Sequence, residues 1–574
     1  MTEPNKKAQP TIITEEKVHV PDSSFREDGE TDLPVPRLHA KTFLAVLAVG
    51  LIYVAQLVSL IGAGAQGQTI AAHFHDASKV VWFSAPIAIL TVVLGPIVSQ
   101  AADYWGRKWL LVLLTLFGAV GSVVVARATS INMLIVGFTI IGVAFGAQPL
   151  LHVVTSEVLP RRWRAYGQAS DMVSNSLASI LGLYVGGALN RTSNPASDGF
   201  RYYFYMTMGL FLAASLLCAI VYNPPPLPTQ TEFTTVEKLK KLDWVGYFLL
   251  ATGLVLFSVG LSYSKNPYDW SDVRVSGTFA IGLAISVALA VYETYFKTDG
   301  MFHHGLFTGN RNFTIATLCV FSEGVAFFAA NTYFAFQVNV LYESDALLVG
   351  IRYSLMMITS AFAACLTGWY CAAFRRVRWV TVLSFLMFTA FFAAMANTNR
   401  DTDTPTWGYP VLLGAALGMT LTTLITVAQL STPPELISVG SGIIISVRSL
   451  GGTIGLAIYN ALFVSAMGRV GDNIAAAVIP RGFPPENLGP LIGALTAHNN
   501  TALSTIPGAT QEIVGAGAGA LLDTFVVGFR HVWIAGSCFV AAAAIIAVFL
   551  FDPTKEFNMH IDYPIEKEED LYSA

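Results

Sequence analysis

The sequence predicts an all-α polytopic membrane protein with fourteen transmembrane helices, arranged as two six-helix bundles plus two additional helices. Three observations lead there. Hydrophobic residues make up 54% of the 574-residue chain, and Asp, Glu, Lys and Arg only 12%, against roughly 25% charge in a soluble globular chain. Mean hydropathy is +0.58. Fourteen mostly apolar runs reach the length of about 20 residues that a bilayer crossing requires. The net charge of −4 argues against a nucleic-acid binder, which carries a basic patch. Ten Trp, 21 Tyr and 37 Phe suit a chain with many membrane interfaces.

The runs fall at 43–63, 81–101, 110–127, 132–155, 168–189, 202–222, 244–264, 277–296, 313–341, 346–373, 380–397, 408–430, 438–466 and 531–551. Asp171, Ser174, Asn175 and Ser176 make the fifth the least apolar. An even number places both termini on one side. Inner loops would hold thirteen basic residues, among them Arg107, Lys108, Arg161, Arg162 and Arg164, against seven in the outer loops. Basic loops stay inside, so cytoplasmic termini are expected. Sequons at Asn190 and Asn499 then fall outside, as glycosylation candidates.

Between and around the runs the chain divides as follows. Residues 1–42 form an N-terminal tail, 43–222 the first bundle and 223–243 a cytoplasmic linker opening with Asn223-Pro-Pro-Pro. The two additional spans occupy 244–297. The second bundle covers 298–552 and includes a long extracellular loop, 467–530, in which 512–524 reads as a helix lying on the membrane surface. An acidic tail, 553–574, ends the chain. Both tails are polar enough to be expected disordered. No apolar h-region precedes the first span, so that span is expected to act as its own membrane signal. The five cysteines sit in apolar runs without a CxxC pair, which suits packing rather than a zinc site.

The sharpest motif is Asp103-Tyr-Trp-Gly106-Arg107-Lys108, between the second and third runs. A loop this short must reverse two helices, and Gly106 can adopt the positive φ that such a reversal demands. A charged hairpin of this kind can grip a neighbouring helix end and release it. Here the chain resembles the major facilitator superfamily, whose signature loop has this pattern at this place, although Ser99 stands where that family usually has Gly. The resemblance implies a gating role for Asp103, Gly106, Arg107 and Lys108. It implies the same for Glu157 and Arg161 in Glu157-Val-Leu-Pro160-Arg161-Arg162-Trp-Arg164, which follows the fourth run.

Fourteen spans resemble the drug:proton antiporter branch. Scattered segments are similar to the fungal trichothecene efflux pump family: Leu242-Asp243-Trp-Val-Gly246, Tyr268-Asp-Trp270, Leu306-Phe-Thr-Gly-Asn310-Arg311-Asn-Phe313 and Arg448-Ser-Leu-Gly451-Gly452-Thr-Ile-Gly455. Two departures from the antiporters are Phe138, where they usually carry arginine, and Gly182-Leu183-Tyr-Val-Gly186-Gly187, which lacks their proline.

Charge inside a membrane is costly and marks function or pairing. Glu323 and Asp171 are proton-coupling candidates, Glu323 the better placed beside Gly324. His152, Arg352 and Arg448 are the other intramembrane charges. Either arginine would pair with these acids or meet an anionic substrate. With Tyr53, Gln56, Gln148, Asn331, Tyr333 and Gln429 these residues are substrate-cavity candidates, and each can equally bond a neighbouring helix. Small-xxx-small pairs such as Gly414 with Gly418 read as packing.

No nucleotide-binding loop, metal cluster or catalytic set stands out, so no cofactor and no enzymatic activity are expected. The sequence points to proton-coupled efflux of a small hydrophobic toxin, secondary metabolite or drug. The alternative is proton-coupled import of an iron–siderophore. The partners expected are the small-molecule substrate, protons and the lipid bilayer, with no nucleic acid and a monomeric state. The plasma membrane is favoured over a vacuolar or vesicle membrane.

Overall fold

The computed structural model describes residues 35–566 apart from 75–80, 193–197, 227, 264–268, 298–299, 309–310, 344 and 497–498. Among the described residues, fourteen helices are long and apolar enough to cross a membrane. Spans 1–6 are Ala40–Gly64, Trp82–Trp105, Arg107–Ala126, Ile131–Glu157, Arg161–Leu189 and Gly199–Val221. Spans 7 and 8 are Trp244–Leu261 and Val273–Phe296. Spans 9–12 are Arg311–Leu341, Leu347–Phe374, Arg378–Ala396 and Pro405–Leu430. Ile437–Met467 and Gln511–Ala547 are spans 13 and 14.

One apolar core belongs to spans 1–6, with Phe83, Phe138, Tyr203 and Phe204 ring against ring. A second belongs to spans 9–14, with three small or flexible residues of span 5, Ala165, Ala169 and Met172, joined to it. Its largest member is Trp533, whose Nε1–H donates to Gln337 Oε1 at 2.6 Å, while Gln337 Nε2 donates to Thr398 Oγ1 at 2.6 Å. A buried indole is tolerated because its one polar atom is satisfied.

Spans 7 and 8 form a separate hairpin. Gly282 lets it close, since a Cβ there would lie 2.3 Å from the Phe257 backbone nitrogen. The hairpin packs on span 2 through a small cluster containing Tyr247, Leu250 and Leu289. The Tyr247 hydroxyl also bonds Gln100 of span 2.

Span 4 is discontinuous. Its first part ends at Phe145, and the second runs Gln148–Glu157. Pro149 has no amide hydrogen to donate to the preceding turn. The break places Gln148 and His152 on a fresh helix start.

Both described ends of the chain meet on one face, where His39 Nδ1 and Glu566 Oε2 are 2.6 Å apart. This is called the terminal face below.

Two expectations are corrected. Residues 512–524 are not a surface helix; they are the first turns of span 14, capped by the Thr510 side chain at 3.4 Å from Ile513 N. Thirty-seven residues at 1.5 Å each make a helix of about 55 Å, longer than the ~30 Å hydrocarbon layer. Hydropathy marks only the stretch that crosses. The projecting turns pack with helices Val470–Val478 and Leu488–Thr496 around Ile474, Leu491 and Leu495, so 467–530 is a folded cap.

Residues 553–566 of the acidic tail are also ordered rather than disordered. Phe557 and Ile561 are buried, and the carboxylates of Glu556, Asp562 and Glu566 each meet a basic side chain. Residues 567–574 and 1–34 lie outside the described residues.

Spans 9 and 13 touch at Gly324, where a Cβ would lie 2.0 Å from the Arg448 carbonyl oxygen. Gly324→Val should therefore lower the thermal midpoint by several degrees, since overpacking costs about 1–3 kcal/mol. Gly489→Ala, in open space, should leave the midpoint unchanged. Thermal unfolding of the purified variants checks both.

Candidate functional site

The Asp103–Lys108 hairpin is built on Gly106, whose φ of +87° is strained for any residue with a Cβ. That turn starts span 3 and sends Arg107 inward. Arg107 is 5% exposed and forms an ion pair with Glu157, itself 2% exposed, at the end of span 4. Its Nη2 donates to Glu157 Oε1 at 3.0 Å and to Ser438 Oγ of span 13 at 3.2 Å. Asp103 Oδ1 lies 3.8 Å away. The signature loop thus joins spans 2, 3 and 4 of the first bundle to span 13 of the second. Lys108 turns outward instead and donates to Asn223 Oδ1 at 3.1 Å.

Gln429 of span 12 is the centre of the next layer. Its Oε1 accepts from Ser156 Oγ at 2.5 Å. Its Nε2 donates to Ser441 Oγ at 3.0 Å and to the His152 carbonyl at 3.2 Å. Arg164, 1% exposed, donates Nη1 to the Gln429 carbonyl at 3.2 Å. Its Nη2 pairs with Asp562 from the tail. Arg161 makes a two-pronged contact with the same carboxylate, 2.7 Å at Nη2 and 3.0 Å at Nε.

Behind this layer lie the predicted acids. Asp171 is fully buried. Its Oδ2 accepts from Thr155 Oγ1 at 2.8 Å and lies 3.0 Å from His152 Nδ1, while its Oδ1 has no hydrogen-bond partner. His152 Nδ1 is also 2.8 Å from Gln168 Oε1, and its ring meets Tyr53 edge-on, centroids 5.6 Å apart. Gln148, the first residue of the second part of span 4, is buried as well. On the other side, Glu323 accepts from Arg448 Nε at 2.6 Å and Nη2 at 3.0 Å. The Arg448 guanidinium stands 4.9 Å over the Phe327 ring.

Other candidates go elsewhere. Arg352 reaches neither acid. It donates to Asp403 Oδ1 at 2.8 Å and Thr406 Oγ1 at 2.9 Å and stands 4.4 Å over Trp407. A carboxylate, a hydroxyl and an indole hold its guanidinium, so it pins the chain at 403–407 to span 10. Gln56 donates to the Ala144 carbonyl at 2.8 Å, a bond within the first bundle. Asn331 accepts from the Tyr353 hydroxyl at 3.0 Å, and Tyr333 packs on Tyr459 and Phe463. Asn190 lies in the last turn of the helix Arg164–Thr192. Asn499 is exposed on the cap, where its side chain accepts from Ala502 N at 3.0 Å.

A cavity of about 390 Å³ is lined by Val92, Leu250, Leu289, Glu293, Ser446 and Val447, among others. It lies between the extra hairpin and the line where spans 2 and 13 meet, and none of the cavity residues expected from the sequence lines it.

Sequence reasoning missed Arg164, Ser156, Gln168, Ser438, Asp562 and Tyr563 as site residues. Arg164 stood at the end of the basic motif after the fourth run, of which only Glu157 and Arg161 were assigned a gating role. The serines and the glutamine look like ordinary helix residues, and the tail gave no apolar signal beyond isolated Phe and Ile.

Residues 42–566 match the family model described as the fungal trichothecene efflux pump. The chain belongs to that family. Among similar proteins, a trichothecene efflux pump of Fusarium sporotrichioides is 24% identical over 449 residues, 76% of this chain and 73% of that one. Its counterpart in Trichoderma arundinaceum is 22% identical, covering 83% and 80% of the two chains. The MFS-type transporter pigP of Monascus ruber is 25% identical over 81% of each. Among solved structures, an inward-facing bacterial homologue of the human lysosomal transporter Spinster aligns with a TM-score of 0.55 at 15% identity, covering 90% of this chain and 97% of that one. The human organic anion transporter MFSD10 aligns at 0.53 and 13%, covering 88% and 99%. Both show the major facilitator fold. As a trichothecene efflux pump family member the chain is a multi-pass membrane efflux transporter. Iron–siderophore import finds no support among these relatives.

Removing one partner of a buried ion pair costs about 3–5 kcal/mol, whereas removing both is far milder. Glu157→Met should therefore lower the thermal midpoint clearly. Arg107→Met combined with Glu157→Met should recover most of that loss, measured as a double-mutant cycle.

Proposed function

We propose that this chain exports a small, largely apolar secondary metabolite of the trichothecene kind in exchange for protons, across the plasma membrane, with the terminal face cytoplasmic. Export of this substrate class is supported by the family match and by relatives whose names state it. The basic loops on the terminal face support the orientation.

Proton exchange is supported by one observation. Asp171 is held to the ring of His152, and the carbonyl of that same His152 accepts from Gln429 across the bundle boundary. A titratable pair thus sits one residue from a bond that closes the terminal face. Asp171 carries the proton in this reading. Glu323, held by two bonds to Arg448, serves as a fixed charge opposite it. Protonating Asp171 weakens its attraction to His152 and loosens the Gln429 contacts. Rocking of the bundles then alternates access to a site near Tyr53 and Gln148.

The test uses cells lacking their own pumps, loaded with a labelled trichothecene and unrelated metabolites. Wild type should lower retention, a protonophore should abolish the effect, and Asp171→Asn at equal surface expression should remove at least nine-tenths of it. Retention equal to that of empty cells across the panel would sink the export reading. Export that ignores the protonophore would sink proton exchange alone. For orientation, glycosidase treatment of intact cells should increase the mobility of wild type but not of the double variant Asn190→Gln, Asn499→Gln. An identical mobility before and after would leave the cap without glycan and remove that support.

A further inference from the structure

The tail attaches to both bundles within adjacent residues. Phe551 exchanges two bonds of 2.9 Å with Asn312, and Asp552 Oδ1 accepts from Val377 N at 2.6 Å and Arg378 N at 2.9 Å. Phe557 is fully buried in the core of spans 9–14. The next residue, Asn558, belongs to the other side. Its carbonyl accepts from Arg162 N at 2.8 Å, and the His560 carbonyl accepts from Arg161 N at 2.9 Å.

Asp562 then pairs with Arg161 and with buried Arg164. Tyr563 N donates to the Glu157 carbonyl at 3.1 Å, and the Tyr563 ring lies 5.2 Å from the Arg107 guanidinium. Burial raises the pKa of the Tyr563 phenol, with Arg107 opposing. It therefore stays neutral and donates to the Pro225 carbonyl of the linker. One short segment touches the principal residues of both gating motifs.

We propose that residues 551–566 are a strap that holds the terminal face closed, and that one half of it must let go each time that face opens. The proposal rests on the alternating-access reading above. Two features require it. Only five residues lie between Asp552, bonded to one bundle, and Asn558, bonded to the other, so the link has little slack, because consecutive Cα atoms are fixed about 3.8 Å apart. The bundles therefore cannot part on this face while both halves stay docked. Second, Arg164 is buried against the Gln429 carbonyl of the other bundle, and a guanidinium withdrawn from water needs a countercharge. Asp562 is the carboxylate that pairs with it. Asp562 is thus a positioning residue for closure, acting through Arg164. The half that releases is 558–566, held by charge and hydrogen bonds, while Phe557 stays in its core.

The test is a distance measurement on the full-length protein in lipid nanodiscs, needing no substrate. Spin labels replace Trp109 at the start of span 3 and Trp379 at the start of span 11, both exposed on the terminal face, with exposed Cys365 and Cys538 changed to Ser. The parent should give mostly one short distance. Asp562→Asn should shift at least half of the population to longer distances, about a tenfold change in the closed-to-open ratio, or roughly 1.4 kcal/mol. Asp562→Glu should stay close to the parent. Phe557→Ala, which frees the other half without touching a charge, should shift the same way.

Gel filtration confirms which variants fold, so either release variant can decide if the other does not. A folded release variant with the parent's distances overturns the strap. Shifted distances in a protein that moves no metabolite leave the strap standing and count against the transport reading alone.

Discussion

A guanidinium withdrawn from water must keep a carboxylate, and that constraint organises the interior of this protein. Arg107, Arg164 and Arg448 are each taken into the helix packing, and each is met by an acid: Glu157, Asp562 and Glu323. The partners come from different places. Glu157 lies on another helix of the same bundle, Glu323 on a helix in backbone contact with that of Arg448, and Asp562 on the tail. Fifty residues separate Arg107 from Glu157, and nearly four hundred separate Arg164 from Asp562. Such pairs fix how helices sit about one another more than they add stability, because the cost of dehydrating both ions offsets much of their attraction.

The residues that join the two bundles near the terminal face are mostly neutral. The Gln429 amide bonds Ser156 Oγ and the His152 carbonyl across that boundary, and Ser438 accepts from Arg107. A boundary made of ion pairs alone would be expensive to open, and one made of apolar packing alone would not report on charge. In this arrangement neutral hydrogen bonds of about 1 kcal/mol each stand beside the guanidinium bonds of Arg107 to Ser438 and of Arg164 to the Gln429 carbonyl.

Much of this was legible in the sequence because the underlying signals are local. Fourteen apolar runs, the Gly106 reversal and the acids inside the membrane all follow from composition or spacing. The features that escaped depend on distant partners. The tail is acidic and polar, so nothing local shows that Phe557 finds a core or that Asp562 finds Arg164. Arg352 looked like Arg448, an arginine in an apolar run, yet the loop beyond span 11 supplies Asp403 and Trp407 and draws it away. Residues 512–524 looked like a surface element because hydropathy reports where a helix is wet, not where it ends.

The hairpin of spans 7 and 8 closes a cavity beside the line where spans 2 and 13 meet, with Glu293 on its wall. Tyr247 ties the same hairpin to Gln100, three residues before Asp103. The additional spans are therefore joined by a hydrogen bond to the helix that leads into the Asp103–Lys108 hairpin rather than merely appended to the bundles.

Span 14 crosses the membrane and continues into the folded cap as one helix. A rigid rod about 55 Å long turns a small tilt at one end into a large sweep at the other: roughly 10 Å of travel for a tilt of about 10°. The cap is therefore the pointer of the molecule. A binding protein raised against it would sense the state of the opposite face without entering the membrane, and one that clamped it against a neighbour would immobilise that face from a distance.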